Sequence, residues 1–199
     1  MTLTKGERTR ELILAHAAAL FNTKGYGRVS MSDIMKETGL EKGGIYNHFR
    51  SKEELALAAF NYMVEMVTEA MRGVVTSTTS SVDRLHGLIN VFTRLVEHPL
   101  FLGGCPVLNA AVESDDADPD LRESARAAMD NWFRALRITL ERGINRGEFR
   151  PDIDVEGTAS IIIGSLEGAI MLSKLYGDPV HIHRATAHLN SYIEAAVRA

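Results

Sequence analysis

The stretch Ser30–Phe49, SMSDIMKETGLEKGGIYNHF, indicates two short helices on either side of one glycine. Ser30 can accept hydrogen bonds from the free N–H groups of the first turn, and Asp33 adds negative charge where the helix dipole is positive. Gly39 stands where a left-handed residue ends a helix, and a second helix is predicted from about Lys42. The pattern predicts a helix-turn-helix, whose second helix has the width to enter the major groove of DNA.

The composition of the 199 residues is that of a globular, all-α protein. Hydrophobic residues make up 45% and charged residues 24%, which supports a buried core and argues against disorder. Proline is scarce, and no alternating run of Val, Ile and Thr marks a strand. The long apolar stretch Gly157–Ser173 is interpreted as a buried helix and not as a membrane span. The charged N-terminal residues lack the apolar region of a signal peptide, and the single cysteine fits a reducing compartment, so we expect a cytoplasmic protein without a membrane partner.

The charge is unevenly distributed along the chain. Residues 1–52 contain nine lysines and arginines against five acidic residues, a net charge of +4. The remaining residues carry −8, so the whole chain has a formal net charge of −4. A basic segment with a helix-turn-helix on an acidic body is typical of a protein that meets phosphates with one end only. An excess of this size also arises by chance, so the charge alone does not decide the function.

Amphipathic helices surround the helix-turn-helix. Apolar residues at helical spacing predict a helix over residues 5–23, which closes a three-helix head with the two short helices. Ser51 and Glu54 form a capping box that opens a connector helix, predicted to end at about Met71 or Val75. A Thr/Ser-rich linker and five further helices follow, so about nine helices are expected in all.

Three segments near the N-terminus give the chain a resemblance to a known family: ALFNTKGY (19–26), SMSDIMKETGL (30–40) and EKGGIYNHFRSKEEL (41–55). Their glycines, aromatic residues and capping box stand at the spacing of the TetR-type (TetR/AcrR) transcriptional regulators, which the chain resembles. A shorter resemblance to the same family lies in RGEFRPDID (146–154).

The resemblance implies a fold, a function and partners. The fold is all-α, with an N-terminal helix-turn-helix DNA-binding domain at residues 1–52 and a C-terminal helical ligand-binding and dimerisation domain at residues 53–199. The function is that of a homodimeric repressor, released from a palindromic double-stranded DNA operator by a small-molecule effector whose identity the sequence does not give. A ligand that fits only the conformation with misplaced heads would lower the affinity for the operator.

By the same resemblance, residues 42–48 form the recognition helix. Its two glycines allow the backbone to approach base edges closely, Tyr46 and His48 contact phosphates, and Lys52 adds a further phosphate contact. The residues implied to bind DNA are Ser30, Lys42, Gly43, Gly44, Tyr46, Asn47, His48 and Lys52. Core packing is the alternative for Tyr46 and is expected for Phe49, and His48 is alternatively a plain surface histidine.

Two features depart from the pattern of the family. Glu41, before the recognition helix, stands where Ser or Thr is common, and it is a weaker helix cap and a poor neighbour for phosphate. Gly43 and Gly44 each cost about 1 kcal/mol in a helix interior. Both features weaken the recognition helix as an isolated element.

A surface for pairing with a second copy of the chain is predicted near the C-terminus. Gly157, Gly164 and Gly168 flatten one side of a helix that is too apolar to face water. Two recognition helices in a symmetric dimer read a palindrome more tightly than one. The predicted interface residues are Ile161, Gly164, Gly168, Leu189, Tyr192 and Ile193. Burial inside one subunit is the alternative.

A mostly apolar pocket in the body is the predicted effector site. Its candidates combine apolar bulk with a few polar groups: Met63, Val67, Phe92, Cys105, Asn109, Trp132 and Leu136. Ordinary core packing is the alternative for each. Cys105 also precedes a helix whose dipole favours a thiolate, so a thiol-based sensor is a second hypothesis, against which stands a plain buried cysteine.

No catalytic or metal-binding motif stands out, so no enzyme activity, cofactor or metal is predicted. Asp116, Asp118 and Asp120 alternate like calcium ligands but lack the glycine and the bidentate glutamate of an EF-hand. His181 and His183 diverge on a helix. The competing function is that of an α-helical small-molecule-binding protein or enzyme whose head binds protein instead of DNA.

Overall fold

A computed structural model of the chain describes residues 4–114 and 118–199. These residues form nine α-helices and no strand, which confirms the all-α prediction. The helices are α1 (Lys5–Lys24), α2 (Met31–Thr38), α3 (Lys42–Tyr46), α4 (Lys52–Ser77), α5 (Ser81–Glu97), α6 (Pro106–Glu113), α7 (Pro119–Asn145), α8 (Val155–Tyr176) and α9 (Val180–Tyr192), and a π-helical turn follows at Ile193–Val197. Asp116, considered above as a calcium ligand, lies outside the described residues.

The described residues divide into two compact units. The first comprises the described part of Met1–Glu65 and of Phe101–Arg126, and the second comprises Met66–Leu100 and Ala127–Ala199. α6 therefore belongs to the same unit as α1, α2 and α3, the three helices of the head. The functional boundary at residue 52 stays a prediction.

Side-chain caps fix the start of several helices, α2 and α4 among them. At α2 the Ser30 hydroxyl accepts a hydrogen bond from the Asp33 N–H at 3.2 Å, and the Asp33 carboxylate accepts one from the Ser30 N–H at 2.9 Å. This is the reciprocal capping box that the sequence indicates. At α4 the Ser51 hydroxyl accepts from the Glu54 N–H, but the Glu54 carboxylate accepts from the N–H of Arg50 and not of Ser51.

α4 continues to Ser77, past both predicted ends, and the linker before α5 is correspondingly short. The Thr76 hydroxyl donates to the backbone carbonyl four residues before it at 3.0 Å. The Arg84 guanidinium donates to the carbonyls of Val75 and Thr78 at 3.0 and 2.8 Å. The two bonds from Arg84 satisfy carbonyls at and just after the helix end, and so they stabilise the last turn of α4.

Each unit has its own apolar core. The buried residues of the first unit include Ile13, Ala17, Phe21, Ile34, Ile45, Phe49, Leu55 and Phe60. Those of the second include Leu85, Leu88, Phe92, Trp132, Leu136, Leu140, Ile162, Leu166 and Ile170. α8 packs against α5 and α9. By length and composition alone this helix could cross a membrane, and 44% of its apolar segment is buried in the protein.

The packing of α5 on α4 requires a glycine. A Cβ atom added to Gly87 would lie 2.5 Å from Cγ1 of Val74, much closer than carbon atoms approach one another in close-packed interiors. Gly87 thus allows the two helices to pack at short range.

Replacing Gly87 with alanine is expected to lower the free energy of unfolding by about 1–3 kcal/mol, because the β-branched Val74 cannot rotate away from the new methyl group. Adding Val74→Ala to the same chain should recover part of the loss. Urea denaturation followed by circular dichroism measures both effects. The matched control is Gly73→Ala in α4, where an added Cβ meets nothing within 4 Å. Equal stability changes in the two alanine variants would show that close packing at Gly87 is not required.

Candidate functional site

The helix α3, which the resemblance predicts to be the recognition helix, is shorter than expected. Gly39 ends α2 in the left-handed region, with φ of 68°, and α3 begins at Lys42. α3 ends at Tyr46, two residues before the predicted end, because the N–H of His48 donates to the carbonyl of Ile45, three residues back, at 2.9 Å. The last turn is therefore tighter than α-helical.

One side of α3 is anchored in the head. The side chains of Ile45 and Phe49 are buried, which confirms the core position expected for Phe49. The Arg10 guanidinium lies 5.0 Å from the centroid of the Phe49 ring and covers its outer face. The opposite side of α3 is therefore the only side of the helix that can meet a partner.

That open side carries the residues implied to bind DNA. Tyr46 is 39% exposed, so it is not a core residue, and the Lys42 ammonium lies 5.4 Å from the centroid of its ring. Asn47 is exposed and His48 is half-buried. A cation, a phenol and an amide thus share one accessible surface with donors for phosphates and base edges.

The two glycines of α3 are not needed for packing inside the protomer. A Cβ at Gly43 would meet nothing within 4 Å, and one at Gly44 would lie 3.6 Å from Cβ of Leu40, an ordinary contact. Alanine would fit at either position and would favour the helix. Packing among the described residues therefore does not require glycine at either position.

Ser30 has a different role from the one implied by the resemblance. Its hydroxyl donates to the Asp33 carboxylate at 2.6 Å, and its N–H donates to the same carboxylate. The hydrogen bond from the Ser30 hydroxyl is the main reason that the pKa of Asp33 is lowered, followed by that from the Ser30 N–H. Both donors are thus in use, and Ser30 acts as a helix cap with none left for a phosphate. The contribution of the Asp33 carboxylate to the cap is lost as the pH falls through its lowered pKa.

A basic corner lies at the start of α4. The Lys52 ammonium donates to the carbonyl of Gly27 at 3.4 Å, which places it next to the exposed Arg28. Arg28 stands two residues before the helix cap Ser30. Because helix starts commonly meet phosphates, this position in the sequence makes Arg28 a further candidate for a phosphate contact.

α6 is joined to the end of α1 by side-chain amides. The Asn22 amide donates to the carbonyls of Leu102 and Gly104 at 2.8 and 3.0 Å. The Asn109 amide donates to Oδ1 of Asn22 at 2.8 Å and to the carbonyl of Gly103 at 2.9 Å. Asn109, predicted to face the ligand, instead ties the loop before α6 to the head.

The other end of α6 meets the turn after α1. The Glu113 carboxylate accepts a hydrogen bond from the N–H of Tyr26 at 2.7 Å. The Tyr26 ring is buried and stacks on Phe21, with centroids 5.4 Å apart. Burial is the main reason that the pKa of Tyr26 is raised, and Glu113 and Cys105 raise it further. Cys105, at the N-terminus of α6, is 1% exposed, which does not favour a thiol sensor.

The predicted effector residues do not all fall in one unit. Met63, Cys105 and Asn109 belong to the first unit, and Val67, Phe92, Trp132 and Leu136 belong to the second. Phe92 and Trp132 pack edge to face with ring centroids 5.5 Å apart. The indole N–H of Trp132 is buried and has no hydrogen-bond partner among the described residues. A buried donor without an acceptor is costly, so a molecule that supplies an acceptor would be favoured there.

A cavity of about 660 Å³ lies between α4 and α5. Its walls include Ala70 and Val74 of α4, Val91 and Arg94 of α5, and Leu100 just after α5. None of the seven predicted effector residues lines it. Its volume and its mixture of apolar and charged groups suit a small organic molecule.

The predicted dimer surface needs a correction. Leu189 and Ile193 are 0% exposed and belong to the core of the protomer, so their side chains are not available to a partner. Ile161 is 52% exposed, and Gly164 and Gly168 follow it on the same side of α8. Their exposed stripe continues through Met171 and Leu175. Tyr192 is half-buried and borders a surface depression together with Ile161.

In the part of the chain that the structure describes, no group of three or more His, Cys, Asp or Glu side chains could hold a metal ion. His183 pairs with Glu97 at 2.7 Å, and the ring of His181 packs on Tyr176. These two histidines of α9 therefore have local partners.

Two family models match the chain. Residues 13–59 match the family described as bacterial regulatory proteins, tetR family, and residues 81–189 match the tetracyclin repressor-like C-terminal domain. The first match contains the recognition helix and the second contains α5 to most of α9.

Relatives of known structure or name agree with these matches. A TetR transcriptional regulator from Chloroflexus aurantiacus J-10-FL is 46% identical, with a TM-score of 0.94 over 98% of this chain and 99% of that chain. The HTH-type transcriptional regulator LmrA of Bacillus subtilis (strain 168) is 28% identical over 83% of this chain and 86% of its own length. A protein from Saccharomonospora viridis, solved in complex with choline, is 26% identical, with a TM-score of 0.83 over 96% of this chain and 98% of that chain.

Proposed function

Since the chain belongs to the TetR family of bacterial regulatory proteins, we propose that it is a homodimeric repressor that a small molecule releases from a palindromic DNA operator. It would act in the cytoplasm, where the operator is accessible. The single observation that carries the DNA-binding part is the open side of α3, where Lys42 and Tyr46 stand beside two glycines that the protomer does not need. A side chain at these glycines would separate the backbone from base edges.

Replacing Gly43 with alanine is expected to weaken operator binding by about 1–3 kcal/mol, the usual cost of one lost base contact. The free energy of unfolding should stay the same or rise by about 1 kcal/mol, since alanine favours the helix. Fluorescence anisotropy with a duplex from the promoter of its own gene measures the affinity, and urea denaturation measures the stability. Gly73→Ala, a second helix glycine with open space around it, is the control. If Gly43→Ala bound the operator with the affinity and salt dependence of the wild type, α3 would not be the helix that contacts the bases.

The proposed dimer is supported by an exposed apolar stripe on α8. Ile161, Met171 and Leu175 are 52%, 49% and 71% exposed, an unusual amount of apolar side chain on one helix face. Between them a Cβ at Gly164 or Gly168 would meet nothing within 4 Å. Glycines in a helix interior lower its stability, so close approach of a second α8 is the best reason for them.

Gly164→Glu is expected to give monomers, because a charged side chain would stand in the middle of the paired stripe without a partner. The protomer itself has room for the substitution and should keep its fold, but without the dimer contacts it should unfold at a lower urea concentration. Light scattering coupled to size-exclusion chromatography measures the mass. Gly73→Glu on α4 is the matched control and should stay dimeric. A dimer that survives both Gly164→Glu and Ile161→Asp would place the interface elsewhere.

Effector binding is proposed at the cavity between α4 and α5. Two paths along the chain lead from it toward the DNA-binding residues. α4 contributes Ala70 and Val74 to the cavity and begins at Lys52. Leu100 lines the cavity and is only two residues from Leu102, whose carbonyl is held by Asn22. A ligand that displaces Leu100 would thus pull on the end of α1.

Release would follow from differential binding. A ligand lowers operator affinity only as far as it prefers the conformation in which the head is displaced. The complex of the Saccharomonospora viridis relative with choline supports a small-molecule effector for this chain as well. The hydrogen bonds that the side-chain amides of Asn22 and Asn109 make with each other and with the loop before α6 would carry the displacement to the head.

Asn109→Ala is expected to uncouple effector binding from DNA release, because it removes the bonds to Asn22 and Gly103 but leaves the cavity unchanged. A panel of small molecules that includes choline is screened for release of the wild-type protein from DNA. Binding of each active compound is measured by isothermal titration calorimetry. The variant should bind the compound and yet remain on DNA, whereas Asn131→Ala on α7 should behave as wild type. Equal release from both variants would exclude this route.

A further inference from the structure

Glu41, at the entry to the recognition helix, has no structural role among the described residues. It occupies the N-cap position of α3, with φ −70° and ψ 160°, but its side chain makes no capping hydrogen bond. The carboxylate is exposed, and no ion pair or hydrogen bond joins it to another described side chain. The adjacent cation, Lys42, lies over the Tyr46 ring and not beside Glu41.

The presence of an acid at this position has two costs. A Ser or Thr cap would add a hydrogen bond to the first turn of α3, which Glu41 does not supply. Its negative charge also stands on the surface that must approach DNA phosphates, and it opposes the net charge of +4 of residues 1–52. A hydrogen-bond donor on the DNA would compensate for both.

The major groove offers such a donor. A glutamate at neutral pH is an acceptor only, so it can pair with the N4 amino group of cytosine or the N6 amino group of adenine. Adenine presents its N7 acceptor beside N6, which repels a carboxylate, whereas cytosine presents no second acceptor to the groove. Residues at the start of a recognition helix are those that reach base edges, and the open backbone at Gly43 permits a close approach.

We propose that the Glu41 carboxylate accepts a hydrogen bond from the N4 amino group of a cytosine at one fixed position of each operator half-site. Glu41 is then a specificity-determining residue, which rejects guanine and thymine there because both present acceptors. The inference rests on the proposed binding of an operator through α3. It assigns to the acid a function that neither helix capping nor phosphate binding explains.

Selection from a duplex pool with a randomised core tests this. The full-length wild type should enrich cytosine at one position, repeated symmetrically in the two half-sites. Glu41→Gln should change the preference at that position alone toward adenine, which an amide pairs with through N6 and N7. Glu41→Ala should lose the preference there. The matched control is Glu37→Gln in α2, which removes an exposed carboxylate 3.8 Å from the His16 ring and should keep the wild-type motif.

Affinities on defined duplexes give a second readout. Changing the cytosine to thymine in the selected site should weaken the wild type about tenfold or more, and should affect Glu41→Ala much less. On a random-sequence duplex Glu41→Ala should bind more tightly than the wild type, because a repulsive charge is gone. An unchanged motif in both Glu41 variants would overturn the role of Glu41 while leaving DNA binding intact. A wild type that enriches no sequence would overturn the operator function itself, and the role of Glu41 with it.

Discussion

The buried amide of Asn22 is the interaction on which the arrangement of the first unit depends. Its N–H groups hold the carbonyls of Leu102 and Gly104, and its own oxygen accepts from Asn109. The residue between Leu102 and Gly104 must be glycine, since φ of Gly103 is 106° and an added Cβ would overlap the backbone of Asn22. An unsatisfied amide at 3% exposure would be costly, so the loop, α6 and the end of α1 are ordered together.

α3, in contrast, has few stabilising interactions of its own. α3 has five residues, two of them glycines, and an N-cap residue that does not cap, so it has little stability of its own. Ile45 and Phe49 hold it in place through burial in the head. Local stability has been given up on the side that faces outward and is supplied by packing on the side that faces inward, which is the usual division at a binding surface.

The helices of the head could be predicted from the sequence because local signals specify them. The long-range contacts could not be predicted. The cap at Ser30, the left-handed Gly39 and the buried Phe49 are each specified within a few residues. The pairing of Asn22 with Asn109 joins positions 87 residues apart, and no spacing rule indicates it. Helical periodicity places Leu189 and Ile193 on one stripe with each other, but it cannot say whether that stripe meets a partner or the core. The same holds for α8, which is apolar on several sides. Only the burial of each side chain shows which side of a helix faces the core.

The burial of Cys105 also makes the chain convenient for spectroscopy. It is the single thiol and is 1% exposed, so reagents in solution would modify an introduced surface cysteine first. A cysteine at the exposed Ser32 of α2 would carry one spin label per protomer. In a symmetric dimer, two such labels define a single distance. Pulsed electron resonance could then follow the separation of the two heads as DNA and small molecules are added.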